Sequence, residues 1–505
     1  MSSISIFFKT YFNFFNIGGS IFFDLFLKVN PLVILLSLSV LSIFFVILIP
    51  GKYFEVLRFI SLSFTILLFI WSLWLWVLFD DYLGIFQFII FKNNLPVFGL
   101  DGISLLFIIL TTFIFMCSYL LIWSVKSHLK FLIVLLLILE TLLIFVFSVL
   151  DLFFFYIIFE LILVPMVLII FVWGSRSRKI KAGFYFFLYT LLGSLFMLIG
   201  LIFLYSEIGS TNIILLTYFL PSYEKQLLFW FLFFFSFAIK IPMFPFHIWL
   251  PEAHVEAPTI GSVLLAGLLL KLGGYGFLRI LIPLFPDATL FFTPLLLTLA
   301  ILGMFYASLT LFRQIDIKKI IAYSSIAHMN FALLGMFSNT IVGLQGSIYL
   351  LVSHGFSSSA LFILVGLLYE RHHTRLLHYF GGLAQLMPIY TLFFFIFTIA
   401  SFGFPGFSNF IGEILIFFGI IVQSFFLTLC AGLGWLLSVI YSILLFNRLF
   451  FGELKFIYIT FDYYTDLTRR ESFLLLFLAI IILFFGLFSG SILDLIAIPT
   501  GLLLI

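Results

Sequence analysis

The stretch FWFLFFFSFAIKIPMFPFHIWL, residues 229–250, reads as the interior of a bilayer except at one place: Lys240 stands near its middle, followed closely by Pro242 and Pro245. A positive charge at bilayer depth costs a few kcal/mol or more unless it has a partner or water, so it marks a functional site by default. The prolines remove backbone hydrogen bonds that lipid cannot replace, and such a break survives only when buried in protein or facing water. Glu140, Glu160, Lys271 and Glu413 interrupt comparable apolar runs.

Composition places these charges in context. The 505 residues are 64% hydrophobic and 9% charged, whereas a soluble domain carries about 25% charged residues. The mean hydropathy is +1.34. A hydrocarbon core of ~30 Å needs about 20 apolar residues per helix, and the chain offers roughly fourteen such runs. The expected fold is therefore all-α and polytopic, with little left for a soluble domain. Seventy-seven phenylalanines exceed what packing demands and read as the codon bias of a small AT-rich genome, such as an organellar one, or as a Phe-rich lipid-facing surface. Cys117 and Cys430 cannot supply a four-thiolate iron–sulfur site or a disulfide framework. A net charge of +3 gives no argument for nucleic acid as a partner. The apolar start is broken by Lys9, Asn13, Asn16, Asp24 and Lys28, which argues against a cleaved signal peptide and leaves residues 1 to 30 as an interfacial or extra helix.

The runs predict spans near 31–49, 57–79, 102–124, 131–150, 152–173, 184–205, 226–250, 259–284, 289–311, 317–337, 343–369, 384–421, 424–450 and 472–497. Loops after odd-numbered spans hold most basic residues: Lys52 and Arg58, Lys126 and Lys130, Arg176 to Lys181, Arg313 to Lys319, Arg371 and Arg375, and Arg448 to Arg470. The opposite loops carry Asp80, Asp81, Asp101, Asp151 and Asp287. The positive-inside rule puts the basic loops in the cytoplasmic or matrix-equivalent compartment. A second break, Gly403-Phe404-Pro405-Gly406, interrupts the twelfth span. Two breaks five spans apart suggest two inverted five-helix repeats, spans four to eight and nine to thirteen. The expected organisation is an N-terminal region of about three spans (1–130), two halves (131–284 and 285–450), and a C-terminal loop with the last helix (451–505).

Chemistry centres on the intramembrane charges. A lone Glu160 in LFFFYIIFELILVPMVLIIFVWG would sit neutral in hydrocarbon. Paired with Lys240 at ~4 Å, with an effective dielectric near 20, it gains about 4 kcal/mol and can stay ionised. Joining or parting the two would then move the lysine between holding and releasing a proton; a static helix-clamping ion pair is the other reading. Lys271 lies beside Gly273 and Gly274, where water or a neighbouring helix can approach, and His328 and His354 lie mid-helix beside hydroxyls. Glu413 follows the second break. Because histidine ordinarily titrates near neutrality, this Lys, His, His, Glu file is a candidate proton relay.

Other groups carry less. Glu140 has no evident basic partner in sequence and reads as a neutral structural group or an additional site. His247 and His254 flank WLPEAH near the membrane surface and could open a proton entrance or cap the loop. Arg371-His372-His373-Thr374-Arg375 with His378 could suggest metal ligands, but adjacent arginines repel a cation, so a solvated loop is expected. Nothing resembles a phosphate loop, a dinucleotide fingerprint or a nucleophile elbow.

The stretch FAIKIPMFPFHIWLPEAHVEAPTIGSVLLAGLLLKLGGYGFLR, with FELILVPM, DIKKIIAYSSIAHMNF, LYERHHTR and GFPGFSNFIGE, resembles the antiporter-like proton-pumping membrane subunits of respiratory complex I, NADH:ubiquinone oxidoreductase. The likeness covers about residues 100 to 450. Acidic Glu413 together with LYERHHTR is similar to the chain 4 family; the sister chains 2 and 5 typically carry lysine at that place. The resemblance implies that Glu160 modulates Lys240, that Lys271 connects two half-channels, that His328 and His354 are relay histidines, and that Glu413 is the terminal site. It also implies that NADH, FMN, iron–sulfur clusters and ubiquinone belong to partner subunits, with no cofactor and no metal in this chain, and that sister chains 2 and 5 and membrane lipids are partners. A mitochondrial inner membrane is the expected location, with a bacterial plasma membrane as alternative. Asn330 departs from the family, which commonly has glycine there, and puts close packing beside His328 in question. Two rivals stay open: a cation/proton antiporter without electron transfer, and a scaffold whose buried charges only fix helix register.

Overall fold

The computed structural model of the chain describes residues 30–92, 95–125, 127–219, 221–453 and 465–503. The expected helix over residues 1 to 30 lies outside these, apart from Asn30, as do Lys126 and Lys455.

Asn30 accepts a hydrogen bond from Leu32 N at 3.0 Å and starts α1 (Pro31–Leu48). After it come α2 (Phe54–Leu78), an antiparallel hairpin of β1 (Gln87–Lys92) and β2 (Leu95–Leu100), then α3 (Gly102–Leu121) and α4 (Leu129–Ser148). The hairpin corrects the all-helical expectation locally. Its aromatic and β-branched residues suit a strand pair, and Phe98 extends the pairing to Val149 at the end of α4. Next are α5 (Leu152–Trp173), with a turn at Ile162, and α6 (Lys179–Ile208). The first broken span comprises α7 (Tyr223–Lys240) and α8 (Trp249–Glu256), followed by α9 (Thr259–Leu284). The second half holds α10 (Pro286–Leu311), α11 (Ile317–Met336), α12 (Ile341–His372), the broken pair α13 (Pro388–Ser401) and α14 (Ser408–Ile421), and α15 (Phe425–Phe450). Last come α16 (Arg469–Leu487) and α17 (Gly490–Leu502).

Eleven described helices are long and apolar enough to cross a membrane. The difference from about fourteen lies in the polar or broken ones: α7 with α8, α11, and α13 with α14. The polar residues assigned to loops do local work. Asp101 and Ser104 form a capping box on α3, Asp151 accepts from Phe153 N and Phe154 N on α5, and Asp316 accepts from Lys318 N on α11.

Contacts sort the loops into two ends. At one, Lys130 Nζ donates to the Ile47 carbonyl, Arg58 to Val125, Ser124 to Glu370, Ser175 N to Glu256, and Lys318 Nζ to Ala257. At the other, Asn30 donates to Phe88 and Ile89, Asn212 to Pro96, and Gln226 to Asp287. The basic loops that the alternation grouped therefore meet one another, as do the acidic ones.

At the centre, α9 and α12 are enclosed along their whole apolar windows. Around them α1, α2, α6, α10 and α15 turn outward residues such as Phe44, Ile70, Leu192, Leu302 and Leu433, each about half exposed or more. Lipid tails give little hydrophobic drive between helices, so small residues that admit close approach do the packing. Gly346 of α12 is an example: a Cβ there would meet Ile416 N of α14 at 2.7 Å.

Candidate functional site

The first break forms where the sequence placed it. α7 ends at Lys240, because Pro242 has no N–H to continue its ladder, and the chain resumes as helix at Trp249. Trp249 Nε1 donates to the Ile239 carbonyl at 3.0 Å and so satisfies a backbone group that the break sets free. Gly273 of α9 lets that helix close on the break, since a Cβ there would lie 2.7 Å from Ile241 and 3.0 Å from Lys240 Cβ. A neighbouring helix, then, is what the glycines beside Lys271 admit.

Lys240 is 2% exposed. The expected contact pair with Glu160 is not made: no ion pair within 4 Å joins them, and Lys240 Nζ lies over the Phe159 ring, 4.1 Å from its centroid. Glu160 follows Phe159 on α5, about 100° around the helix, and remains the nearby opposite charge, with Ser194 of α6 approaching its carboxylate. Side chains one residue apart point in different directions, and here it is the ring that lies over Lys240.

Lys271 is fully buried on α9 between two π-helical turns, Leu265–Leu269 and Phe277–Leu281. Such wide turns occur often at functional sites. Its Nζ donates to the Ala266 carbonyl at 2.5 Å and meets His354 Nδ1 on α12 at 3.0 Å. The rings of His354 and His328 stand 5.4 Å apart, and His328 Nδ1 donates to the Ser324 carbonyl at 2.8 Å, which leaves Nε2 without a hydrogen bond to the described residues. The structure thus brings Lys271, His354 and His328 together.

Glu413 sits on α14, past the second break, with its Oε2 accepting from Trp435 Nε1 of α15 at 2.7 Å. Gly403 (φ +70°) makes room for it, because a Cβ there would overlap the carboxylate. Asn409 donates to the Ser401 carbonyl at 3.2 Å and to Ser357 Oγ at 3.3 Å, tying the break to α12 three residues after His354. Trp435 was not visible as a site residue from the sequence, because nothing in GLGWLL says which helix its ring meets.

The remaining candidates fall apart from this row. Glu140 is fully buried and neither oxygen has a hydrogen-bond partner among the described residues; Tyr119 is the ionisable group beside it. His247 lies in the first break, 4% exposed, with its ring 5.1 Å from Tyr306 and 5.8 Å from Phe244. His254 does not cap a loop: it is fully buried and stacks on Phe362 at 4.6 Å. The loop after α12 is solvated only in part: His373 and His378 are exposed, while His372 and Arg375 are buried. Arg375, 1% exposed, donates to the Val255 carbonyl at the end of α8 and stands 3.9 Å from Asp316, while Ile317 N donates to the Arg375 carbonyl. The arginine is drawn inward by carbonyls left open at a helix end. Asn330 costs no packing: it lies against Gly303 of α10, whose missing Cβ would sit 2.6 Å from its Oδ1, and donates to the Ile326 carbonyl at 2.8 Å. Arg279 of α9 pairs with Asp101 at the start of α3, a buried ion pair that the sequence reading did not foresee.

Two broken helices with buried lysine, histidine and glutamate beside them are features of an antiporter-like polytopic membrane protein. Residues 149–441 match the model of the family described as NADH:quinone oxidoreductase/Mrp antiporter, transmembrane. The chain belongs to that family. Relatives named NADH-ubiquinone oxidoreductase chain 4 are 50% identical over 472 residues in Chondrus crispus (92% of this chain, 96% of the relative) and 49% over 455 residues in Marchantia polymorpha (89% and 91%). Among solved structures, a chain of respiratory complex I from Thermus thermophilus with bound NADH superposes with a TM-score of 0.84 at 30% identity, covering 94% of this chain and 99% of that one.

Proposed function

We propose that this chain is a proton-translocating membrane subunit of an NADH:ubiquinone oxidoreductase of the chain 4 type, in which electron transfer through other subunits drives protons along its buried row. NADH, FMN, the iron–sulfur clusters and ubiquinone bind to other subunits of the complex, and the antiporter-like sister chains 2 and 5 are further partners in the membrane. The membrane is the mitochondrial inner membrane, with the basic loops on the matrix side. The row runs from Glu160 and Lys240 through Lys271, His354 and His328 to Glu413, and residues 131–284 and 285–450 form the two inverted halves.

One observation carries the reading: Lys271 Nζ stands 3.0 Å from His354 Nδ1 on the two most enclosed helices. A charged lysine donates there, which places the other hydrogen of a neutral His354 on Nε2. His328 donates through Nδ1 and offers Nε2 as acceptor. With the ring centroids 5.4 Å apart, a water between them would carry a proton from Lys271 through His354 to His328 Nε2, and the same nitrogen must release it, because Nδ1 is held by the Ser324 carbonyl. Glu140 lies outside this row, and His247 lies beside the first break.

The test is the native assembly, purified with this chain in it. Flavin and iron–sulfur spectra that copurify, with NADH-driven proton pumping that Lys240→Met abolishes, support the proposal. Sodium/proton exchange in vesicles without NADH, from an assembly lacking those chromophores, would overturn it in favour of an antiporter. Normal pumping in Lys240→Met would reduce the buried charges to scaffolding.

A further inference from the structure

Lys240 is the side chain on which the proposed function turns, yet its ammonium neither touches Glu160 nor makes a hydrogen bond to any described residue. What it touches is an aromatic face. Its Nζ lies 4.1 Å from the centroid of Phe159, well within the ~6 Å at which a cation is held by a ring quadrupole, and the lysine is 2% exposed, a burial that strengthens the attraction. Phe159 itself is fully buried and cannot swing away. Phe155 stacks on it at 5.6 Å, one turn earlier on α5, and Phe237, one turn before Lys240 on α7, meets it edge-on at 6.2 Å.

Resting on the proton-translocating reading of this site, we propose that Phe159 is a positioning residue of the Glu160 and Lys240 switch: its ring face is the second resting place of the lysine's charge, occupied when the lysine has left the glutamate. Phe159 and Glu160 are consecutive, so the two resting places lie side by side on one helix. The lysine backbone is fixed at the end of α7, and a flexible four-carbon stem lets the ammonium move between them. An ion pair at contact is stronger than a cation–π contact, so the ring holds the separated charge without trapping it. An aliphatic side chain of the same bulk would leave that charge unsupported, and the parted state would be depopulated.

The experiment compares Phe159→Leu, Phe159→Met and Phe159→Trp in the assembled complex. Native-gel assembly and NADH oxidation by an artificial acceptor that bypasses quinone serve as controls, and protons pumped per electron to quinone as the readout. We expect the leucine and methionine variants to assemble and to pump about tenfold less, equivalent to ~1.4 kcal/mol. The tryptophan variant, which offers the strongest ring face, should pump within about twofold of the parent. Should the leucine variant fail to assemble, the methionine variant carries the same comparison. Parent-like pumping in Phe159→Met overturns the proposal, and so does equal loss in the methionine and tryptophan variants, which would make Phe159 a packing residue. Lys240→Met separates the two layers: if it pumps normally, the reading of the site fails, whereas if it abolishes pumping and Phe159→Met does not matter, only this inference falls.

Discussion

Replacing Trp435 by Phe removes a single hydrogen bond and keeps the ring bulk that meets Phe417 edge-on at 6.4 Å. The bond lost is the 2.7 Å donation from Nε1 to Glu413, whose side chain is 2% exposed. A hydrogen bond to a charged group is worth about 1.5–3 kcal/mol. Only an anionic Glu413 draws on the full amount, so the variant depopulates that state by roughly ten- to a hundredfold, at 1.36 kcal/mol per tenfold. If Glu413 is the terminal station of the row, it must pass through the anionic state in every cycle, and turnover should fall by a similar factor. The assay is NADH-driven acidification by the assembled complex in sealed vesicles, normalised to assembled complex on a native gel. Parent-like pumping in Trp435→Phe alongside abolished pumping in Glu413→Gln would refute the reasoning: the indole would then be packing, and the carboxylate would be stabilised by something other than this donor.

Two further outcomes follow from the packing. Gly273→Val should push α9 off the first break, because its Cβ position already lies 2.7 Å from Ile241; overpacking of about 1–3 kcal/mol should lower pumping while assembly on native gels persists. Arg375→Ala leaves Asp316 and the Val255 carbonyl without their buried partner, and a loss of about 3–5 kcal/mol should appear as reduced assembled complex after mild heating, with Arg375→Lys only partly restoring it.

Much of the site was legible because charge and proline are conspicuous in hydrocarbon. Lys240 before Pro242, and GFPG before Glu413, announced the two breaks, since lipid offers no water to mend them. The intramembrane residues proposed as a row were conspicuous for the same reason, but their contacts were not. Charge suggested Glu160 as the partner of Lys240, but whether it or its neighbour Phe159 faces the ammonium depends on the rotation of α5, which is set by tertiary packing. Trp435 and Asp101 were hidden likewise: an indole on an apolar helix and an aspartate in a loop become partners of Glu413 and Arg279 only when distant helices close. The loop after α12 was read as solvated throughout because its charges suggest water; His373 and His378 are indeed exposed, whereas Arg375 is spent on the open end of α8. The hairpin Gln87–Leu100 was read as loop because six-residue strands carry little periodicity.

α12 has 32 residues, and at 1.5 Å per residue it is a rod about 48 Å long. Helices in bilayers tilt by up to ~40°, and even then such a rod projects about 37 Å along the normal, more than the ~30 Å of hydrocarbon. Leaning therefore cannot hide it, and several ångströms must stand clear of the lipid tails. Its last turn carries Arg371, which clasps Glu471 of α16 at 2.5 Å. The overhang carries this clasp, about nine-tenths buried within the protein, beyond the lipid tails, so the helix that holds His354 at mid-depth is pinned at its far end to α16.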